Sequence, residues 1–507
     1  MILINSSPKN ALKIFQPFLP IFVPIGAGYL LAFAQQQNIK VKFIDEQIED
    51  DVVAKVAEYV KDLRRPYIFA FSVLTASFRS AVLVSQELKE LFPDSVIVFG
   101  GIHPSASPEE VLAYKHIDAV IRGEGEKELA EFYKCIKENS DFTRIEGLSY
   151  RKDGVIVHNK VSQHSINLDS LPDFPYYLFK SDRYDLGFVV SSRGCPHRCI
   201  FCSNRVTTGK RYRYSSAKKI MRDLDWVYNQ YLLKNKAKRN VQFLDDNLLV
   251  NHNRVYELLE EIKKSGFDKK LTFSFQARGD NVNFKILKDL YDAGFKSVFF
   301  GLETASEEIM KLIKKDETVA RCVEAVKMAK QIGFHVSATF IYGFPGETHQ
   351  DRMDCLKLSK ELKLDMVRYN NATPYPGTEL YEMAKRDGGL KVVGLYENFY
   401  SVSTFIEYPF KEIPFSYVAP GSSETEIRND LLVSYLAFYF DFNKIKSIFA
   451  SPEKNVGWFN AGETAMNLIK KLPALSILGL NMFLKYYKLC ISLMLGRIEV
   501  LVFSNKK

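Results

Sequence analysis

Cys195-Pro-His-Arg-Cys199-Ile-Phe-Cys202 follows a short apolar run, Gly187–Ser192, and opens a long stretch in which such runs alternate with helical patterns. Three of the chain's seven cysteines fall in these eight residues. An odd, low total excludes a disulfide-scaffolded fold, so the grouping calls for a chemical reading. Three thiolates on one loop can hold three irons of a 4Fe–4S cube and leave the fourth iron to a ligand from outside the chain. Zinc, with His197 as a fourth ligand, is the alternative, but structural zinc usually takes paired CxxC elements and a second pair is absent. Cys135, Cys322, Cys355 and Cys490 are scattered and read as small buried apolar residues.

Downstream of the loop, apolar runs recur at Val241–Leu244, Leu271–Ala277, Ser297–Leu302, Val336–Tyr342 and Met366–Tyr369. Helical patterns separate them, including Ala217–Leu233, Arg254–Lys264 and Val319–Ile332. Together with Gly187–Ser192 they predict a partial, six-unit (β/α) barrel over residues 186–397, with its chemistry at the carboxyl ends of the strands. Upstream, Met1–Ile4, Val41–Ile44, Tyr67–Ser72, Val96–Phe99 and Ala119–Ile121 predict a five-stranded doubly wound (Rossmann-like) domain over residues 1–142. Its ligand-facing strand ends carry Ser72-Val-Leu-Thr75, Gly100-Gly-Ile-His-Pro104 and Gly123-Glu-Gly-Glu126. Residues 143–185 read as a connector with a hairpin turn at Lys152-Asp-Gly-Val155, and 398–507 as a mainly helical, aromatic C-terminal region. The fold class is therefore α/β.

Composition agrees with a globular chain: of 507 residues, 47% are hydrophobic and 25% charged. A net charge of +9 is mild at this length. The basic stretch Lys210–Arg239, interrupted by Asp223 and Asp225, reads as a solvated face, so no nucleic-acid partner is expected. Met1-Ile-Leu-Ile4 lacks the basic start of a secretory leader. The uncharged stretch between Lys13 and Lys40 is broken by Pro17, Pro20 and Pro24, which predicts a buried loop and then a helix from Pro24 to Gln37. Ala474–Phe503 carries few charges; its uncharged run Leu472–Leu484 is too short to span a bilayer and either packs on the body or lies on a membrane surface.

CxxxCxxC resembles the signature of radical S-adenosylmethionine enzymes, with Phe201 matching the aromatic residue usual before the last cysteine. Phe300-Gly-Leu-Glu303, Gln276-Ala-Arg278, Asp245-Asp-Asn247 and Gly343-Phe-Pro-Gly-Glu-Thr348 resemble further strand-end motifs, so the likeness runs from Gly187 to Gly377. It implies Cys195, Cys199 and Cys202 as catalytic cluster ligands. It implies S-adenosylmethionine contacts from Phe201, Asp246, Gln276, Arg278, Gly301, Glu303 and Gly343. Glu303 is a candidate acceptor for ribose or ammonium donors, and Arg278 a candidate carboxylate partner. Of the adjacent Asp245 and Asp246, only one can point inward from a strand.

A doubly wound domain ahead of such a barrel resembles the cobalamin-binding class, which includes the anaerobic magnesium-protoporphyrin ester cyclase and hopanoid-modifying enzymes. Ser72, Thr75, Gly100, Gly101, His103, Gly123 and Glu124 are the candidate cobalamin contacts. DxHxxG is absent, and His103-Pro104 reads as a positioning turn rather than a cobalt ligand. The resemblance implies a methyltransferase acting on an unactivated carbon through a 5′-deoxyadenosyl radical and methylcobalamin. The alternative outcome is oxidation, cyclisation or carbon–carbon coupling without methyl transfer. Implied partners are a small-molecule substrate, apolar or lipid-like given 13% aromatics, and an electron donor such as flavodoxin or ferredoxin. An oxygen-sensitive cluster implies the cytoplasm, with peripheral membrane contact through the C-terminus as the variant of that expectation.

Overall fold

The computed structural model describes residues 1–8, 21–161, 166–234, 239–400 and 413–439, with Ser476, Leu480, Leu484 and Tyr487 in addition. The first sheet begins with five parallel strands, β1 (Ile2–Asn5), β2 (Lys42–Asp45), β3 (Ile68–Ser72), β4 (Val96–Gly100) and β5 (Ala119–Ile121). Side chains alternate across it as strand geometry requires. Leu3, Ala70 and Val98 face one core, while Ile2, Ile4, Phe69, Phe71, Ile97 and Phe99 face the other. The predicted connector contributes to this sheet. A hairpin, β6 (Leu148–Lys152) and β7 (Val155–His158), turns at Asp153-Gly154 and joins β5 antiparallel, giving the order β2-β1-β3-β4-β5-β6-β7. The sheet therefore has seven strands rather than five and continues past residue 142.

The second sheet consists of β8 (Phe188–Val189), β11 (Asn240–Phe243), β12 (Thr272–Ala277), β13 (Phe295–Glu303), β14 (His335–Tyr342) and β15 (Met366–Asn371). All pairings are parallel and neighbours are consecutive, as in an open barrel. Between β8 and β11 lies a short antiparallel ladder, β9 (Ser192–Arg193) with β10 (Arg213–Tyr214). Helices start where a side chain caps the first turn: Asn251 accepts from Arg254 N, Asn283 from Ile286 N and Thr318 from Arg321 N.

One apolar core runs without a break from the first sheet into the barrel, joining Leu3 and Val98 to Phe243, Phe273 and Phe295. After β15 the chain crosses back, and Tyr396 and Phe399 insert into the other core of the first sheet. The helix Glu424–Tyr439 then closes the barrel's free edge. Tyr439 Oη accepts from Val367 N (3.1 Å) and donates to Val367 O (2.7 Å); Tyr435 Oη does the same at Tyr369 (3.1 and 3.0 Å). Two hydroxyls one helical turn apart thus satisfy the edge groups of β15. The helix predicted from Pro24 spans Ile25–Gln36. The expectation of a membrane-surface segment at Ala474–Phe503 falls almost wholly outside the described residues. Among the described residues, no helix is long and apolar enough to cross a membrane.

Candidate functional site

The cysteine loop leaves β9 through Gly194, whose φ of +84° and 2.4 Å spacing from a would-be Cβ to Arg211 O admit only glycine. The barrel holds the loop by its backbone: Ile200 N donates to Ile313 O (3.0 Å) and Ile200 O accepts from Leu380 N (2.9 Å). Cys195, Cys199 and Cys202 are free and half-buried. Burial pushes all three thiols up, Cys202 to about 12. Such thiols ionise only against a strong cationic partner, and coordination to iron provides one. Among the described residues, no three His, Cys, Asp or Glu side chains stand close enough to hold a single ion.

Opposite the loop, β13 slips one register step against β14 between Gly301 and Glu303. Glu303 takes a φ of +65° there, a conformation that costs a non-glycine residue about 1–3 kcal/mol and tends to persist where function holds it. Its carboxylate is buried at 6% exposure. Lys315 Nζ sits beneath, 3.3 Å from Glu303 Oε1, 2.6 Å from Gly301 O and 3.1 Å from Glu317 Oε1. Burial raises the Glu303 carboxyl and Lys315 opposes the rise. Glu303 Oε2 has no hydrogen-bond partner. A buried acceptor left unpaired is costly, so this oxygen fits a donor brought by a ligand, as a ribose hydroxyl or an ammonium would be. Gly301 allows the arrangement, since a Cβ there would stand 2.3 Å from Glu303 Oε1.

Arg278 completes the group. Asp280 takes the guanidinium fork (Nε–Oδ1 3.0 Å, Nη2–Oδ2 2.8 Å), and Nη2 also donates to Lys315 O (2.5 Å). Nη1 points to Cys199 Sγ at 3.9 Å. Arg278 therefore gives its bidentate face to Asp280 and one N–H to the cluster loop. The choice between the two aspartates is also resolved. Asp245 is buried and accepts from the hydroxyls of Ser191 (2.9 Å) and Ser192, with Arg254 3.9 Å away. Asp246 is exposed and accepts from Asn204 Nδ2 at 2.6 Å, two residues past Cys202. Surrounding protein and then Asp245 push its carboxyl up to about 6.

Gln276 is half-buried near the end of β12, beside Phe299 of β13. Gly343, at φ +96°, donates its N–H to Glu347 Oε2 (2.5 Å), whose buried carboxyl is pushed up to about 8. Phe201 meets the next residue of that turn, Phe344, with ring centres 5.7 Å apart.

The loops after the first sheet's strands meet the chain that follows the cysteine loop, where the would-be Cβ of Gly123 lies 3.9 Å from Thr207 O. Ser72 and Gly100 are register partners, and Gly101 passes so close to Val73 that a Cβ would stand 2.7 Å from Val73 O. Thr75 is buried in the turn that follows, and Gly123 N donates to Ser105 Oγ (3.0 Å). Gly377 is wedged against the short helices Ile102–Ala106 and Arg205–Thr208: its would-be Cβ lies 2.8 Å from Val206 Cγ2 and 3.0 Å from Ala106 Cβ. Two candidate contacts are already taken up within the protein. His103 is fully buried between Phe78 and Tyr396, with ring centres 4.2 and 4.8 Å away, and burial holds its pKa down to about 3. Glu124 is engaged by Arg213.

Sequence reasoning missed Lys315, Asp280 and Arg213. Lys311, Lys314 and Lys315 lie together, and nothing local separates the buried one from the other two. The basic stretch Lys210–Arg239 is also not one solvated face: Arg213 is buried, and Lys219 Nζ is buried against Leu168 O (2.6 Å) and Leu171 O (2.5 Å).

Comparison with known proteins places the same two units on the chain. Residues 15–133 match the B12 binding domain family and residues 189–359 the radical SAM superfamily. The chain is 32% identical over 367 residues to an uncharacterized methyltransferase of Pyrococcus horikoshii, covering 71% of this chain and 78% of that one. It is 25% identical to the anaerobic magnesium-protoporphyrin IX monomethyl ester cyclase of Rubrivivax gelatinosus over 77% of this chain and 75% of that one. In fold it is similar to the radical S-adenosylmethionine methyltransferase TsrM of Kitasatospora setae, solved with cobalamin and a 4Fe–4S cluster bound. The TM-score is 0.62 at 18% identity, over 77% of this chain and 79% of that one.

Proposed function

The chain belongs to the radical S-adenosylmethionine family that carries an N-terminal cobalamin-binding domain, and on that premise we propose that it is a cobalamin-dependent methyltransferase acting on an unactivated carbon of a small molecule. The observation that carries the reading is the orphaned Glu303 Oε2 at the end of β13, in a buried group with Lys315 and with Arg278, whose Nη1 points to Cys199 of the loop. When bound, a 4Fe–4S cluster with S-adenosylmethionine supplies a carbon radical and cobalamin supplies a transferable methyl group. Cys195, Cys199 and Cys202 would hold the cluster. Glu303 would accept from ribose or ammonium, with Lys315 opposing the rise that burial imposes on its carboxyl. Arg278 would direct one N–H toward the Cys199 sulfur. Asp246, Gln276, Gly301 and Gly343 would line the S-adenosylmethionine side, and Phe201 with Phe344 would wall it against water. Ser72, Thr75, Gly100, Gly101 and Gly123 would let backbone approach cobalamin. An apolar or lipid-like substrate and a flavodoxin- or ferredoxin-type electron donor complete the proposal.

The cyclase relative supports a second reading, radical oxidation or cyclisation without methyl transfer. Both readings are tested with reconstituted protein, S-adenosylmethionine and a strong reductant under anaerobic conditions. Methyl transfer requires S-adenosylhomocysteine alongside 5′-deoxyadenosine; deoxyadenosine alone favours the second reading. Retention of deoxyadenosine formation by Cys199→Ala would sink both.

A further inference from the structure

Arg193 and Arg213 are direct register partners on β9 and β10, and the whole cysteine loop is the excursion between them. Both side chains reach out of the barrel to one turn of the first domain. Arg213 forks onto Glu124, Nη2 to Oε1 at 2.5 Å and Nη1 to Oε2 at 2.8 Å. Arg193 Nη1 donates to Glu126 Oε1 at 2.7 Å and lies 3.6 Å from Glu124 Oε1, while its guanidinium covers the Tyr29 ring at 4.5 Å. None of the four side chains is more than 14% exposed. Two positive and two negative charges thus close on one another away from water. Glu124 and Glu126 belong to the turn after β5, where Gly123 and Gly125 hold φ of +94° and +86°. The would-be Cβ of Gly123 lies 3.9 Å from Thr207 O, on the excursion that carries the cysteines.

Replacing a buried ion cluster by apolar side chains is often neutral for stability, and here a continuous apolar core already joins the two domains. An apolar contact tolerates sliding, whereas a bidentate arginine–carboxylate pair fixes distance and angle. We propose that the Glu124/Glu126–Arg193/Arg213 cluster is a positioning device that sets the spacing between the cysteine loop and the cobalamin-facing turn. The four residues are then positioning residues for methyl transfer. This rests on the two-cofactor reading above.

The test uses the full chain reconstituted with iron, sulfide and hydroxocobalamin. The variants are the neutral pair Glu124→Gln/Arg213→Gln and the swapped pair Glu124→Arg/Arg213→Glu. Pulsed electron paramagnetic resonance reads the distance between the reduced cluster and cob(II)alamin. The neutral pair should keep both groups and form 5′-deoxyadenosine, yet show a shifted or broadened distance and methyl transfer reduced about 10²-fold, as a misplacement near 1 Å can do. The swapped pair should restore a single distance. An unchanged distance and rate in the neutral pair would overturn the proposal. So would loss of both cofactors in both variants, which would leave the cluster a purely structural role. A wild-type chain that takes up iron but no cobalamin fails the underlying reading instead.

Discussion

Replacing Lys315 by methionine removes the cation beneath Glu303 while keeping most of its bulk. In the folded chain its ammonium reaches Gly301 O, Glu303 and Glu317 within 3.3 Å, and neither carboxylate is more than 8% exposed. Taking one partner out of a buried ion pair costs about 3–5 kcal/mol, because the charge left behind has no water. Arg278 lies 3.9 Å from Glu317 and offsets part of that loss, which puts the expectation near the lower figure, about 3 kcal/mol. At roughly 2 °C per kcal/mol for a large chain, the melting midpoint should fall by about 6 °C. The sign with pH is fixed. Burial already raises the Glu303 carboxyl and Lys315 opposes it, so the variant's carboxyl rises further. A raised carboxyl is tolerated while protonated, and its penalty grows as pH climbs above the unfolded value. The deficit should therefore be largest at pH 8 and shrink toward pH 5. Thermal melts at both values, with Lys314→Met as control, decide the matter. Lys314 pairs with Glu379 with both side chains 48% exposed, and its loss should cost under about 1 kcal/mol. A Lys315→Met midpoint within 1 °C or so of wild type at pH 8, or a deficit independent of pH, would refute the reasoning.

Gly301→Ala places a methyl 2.3 Å from Glu303 Oε1 and 3.0 Å from Lys315 Nζ; S-adenosylmethionine affinity by equilibrium dialysis should fall at least about tenfold with iron content unchanged, and full affinity would contradict the site. Tyr435→Phe/Tyr439→Phe removes the hydroxyls that cap β15, at about 1 kcal/mol per lost hydrogen bond, and should speed amide exchange at Val367 and Tyr369; unaltered exchange would mean the edge is protected by something else. His103 stays neutral in the fold down to about pH 3, whereas an unfolded imidazole protonates near 6.5, so the unfolded chain binds more protons between those values. Stability should then fall as pH drops below 6.5, with a His103 contribution of up to about 1.4 kcal/mol per unit that His103→Phe removes; an identical acid profile in the variant would disprove it.

Parallel strands buried on both faces are the part of this molecule most legible in sequence, because they leave continuous apolar runs such as Val336–Tyr342. The hairpin turn at Asp153-Gly154 was equally readable. Its attachment to β5 was not, since turn chemistry says nothing about which edge a hairpin joins. The cysteine spacing and the Gly301–Glu303 pair were the legible part of the candidate site. The positive φ at Glu303 and the slip beside it depend on packing that local sequence does not encode. Alternation on a strand left Asp245 and Asp246 open; the hydroxyls of Ser191 and Ser192, more than fifty residues earlier, settle which is buried. Glu124 stood out for its place in a glycine-rich turn, yet its partner Arg213 comes from a stretch that looked like a solvated basic face.

The central claim is that one chain holds both a 4Fe–4S cluster and cobalamin. Anaerobic reconstitution with iron, sulfide and hydroxocobalamin, followed by metal analysis and absorbance, tests it most directly. About four irons and about one cobalamin per chain are predicted, with the iron lost in Cys195→Ala/Cys199→Ala/Cys202→Ala. Iron without cobalamin would contradict the claim and leave radical chemistry without methyl transfer.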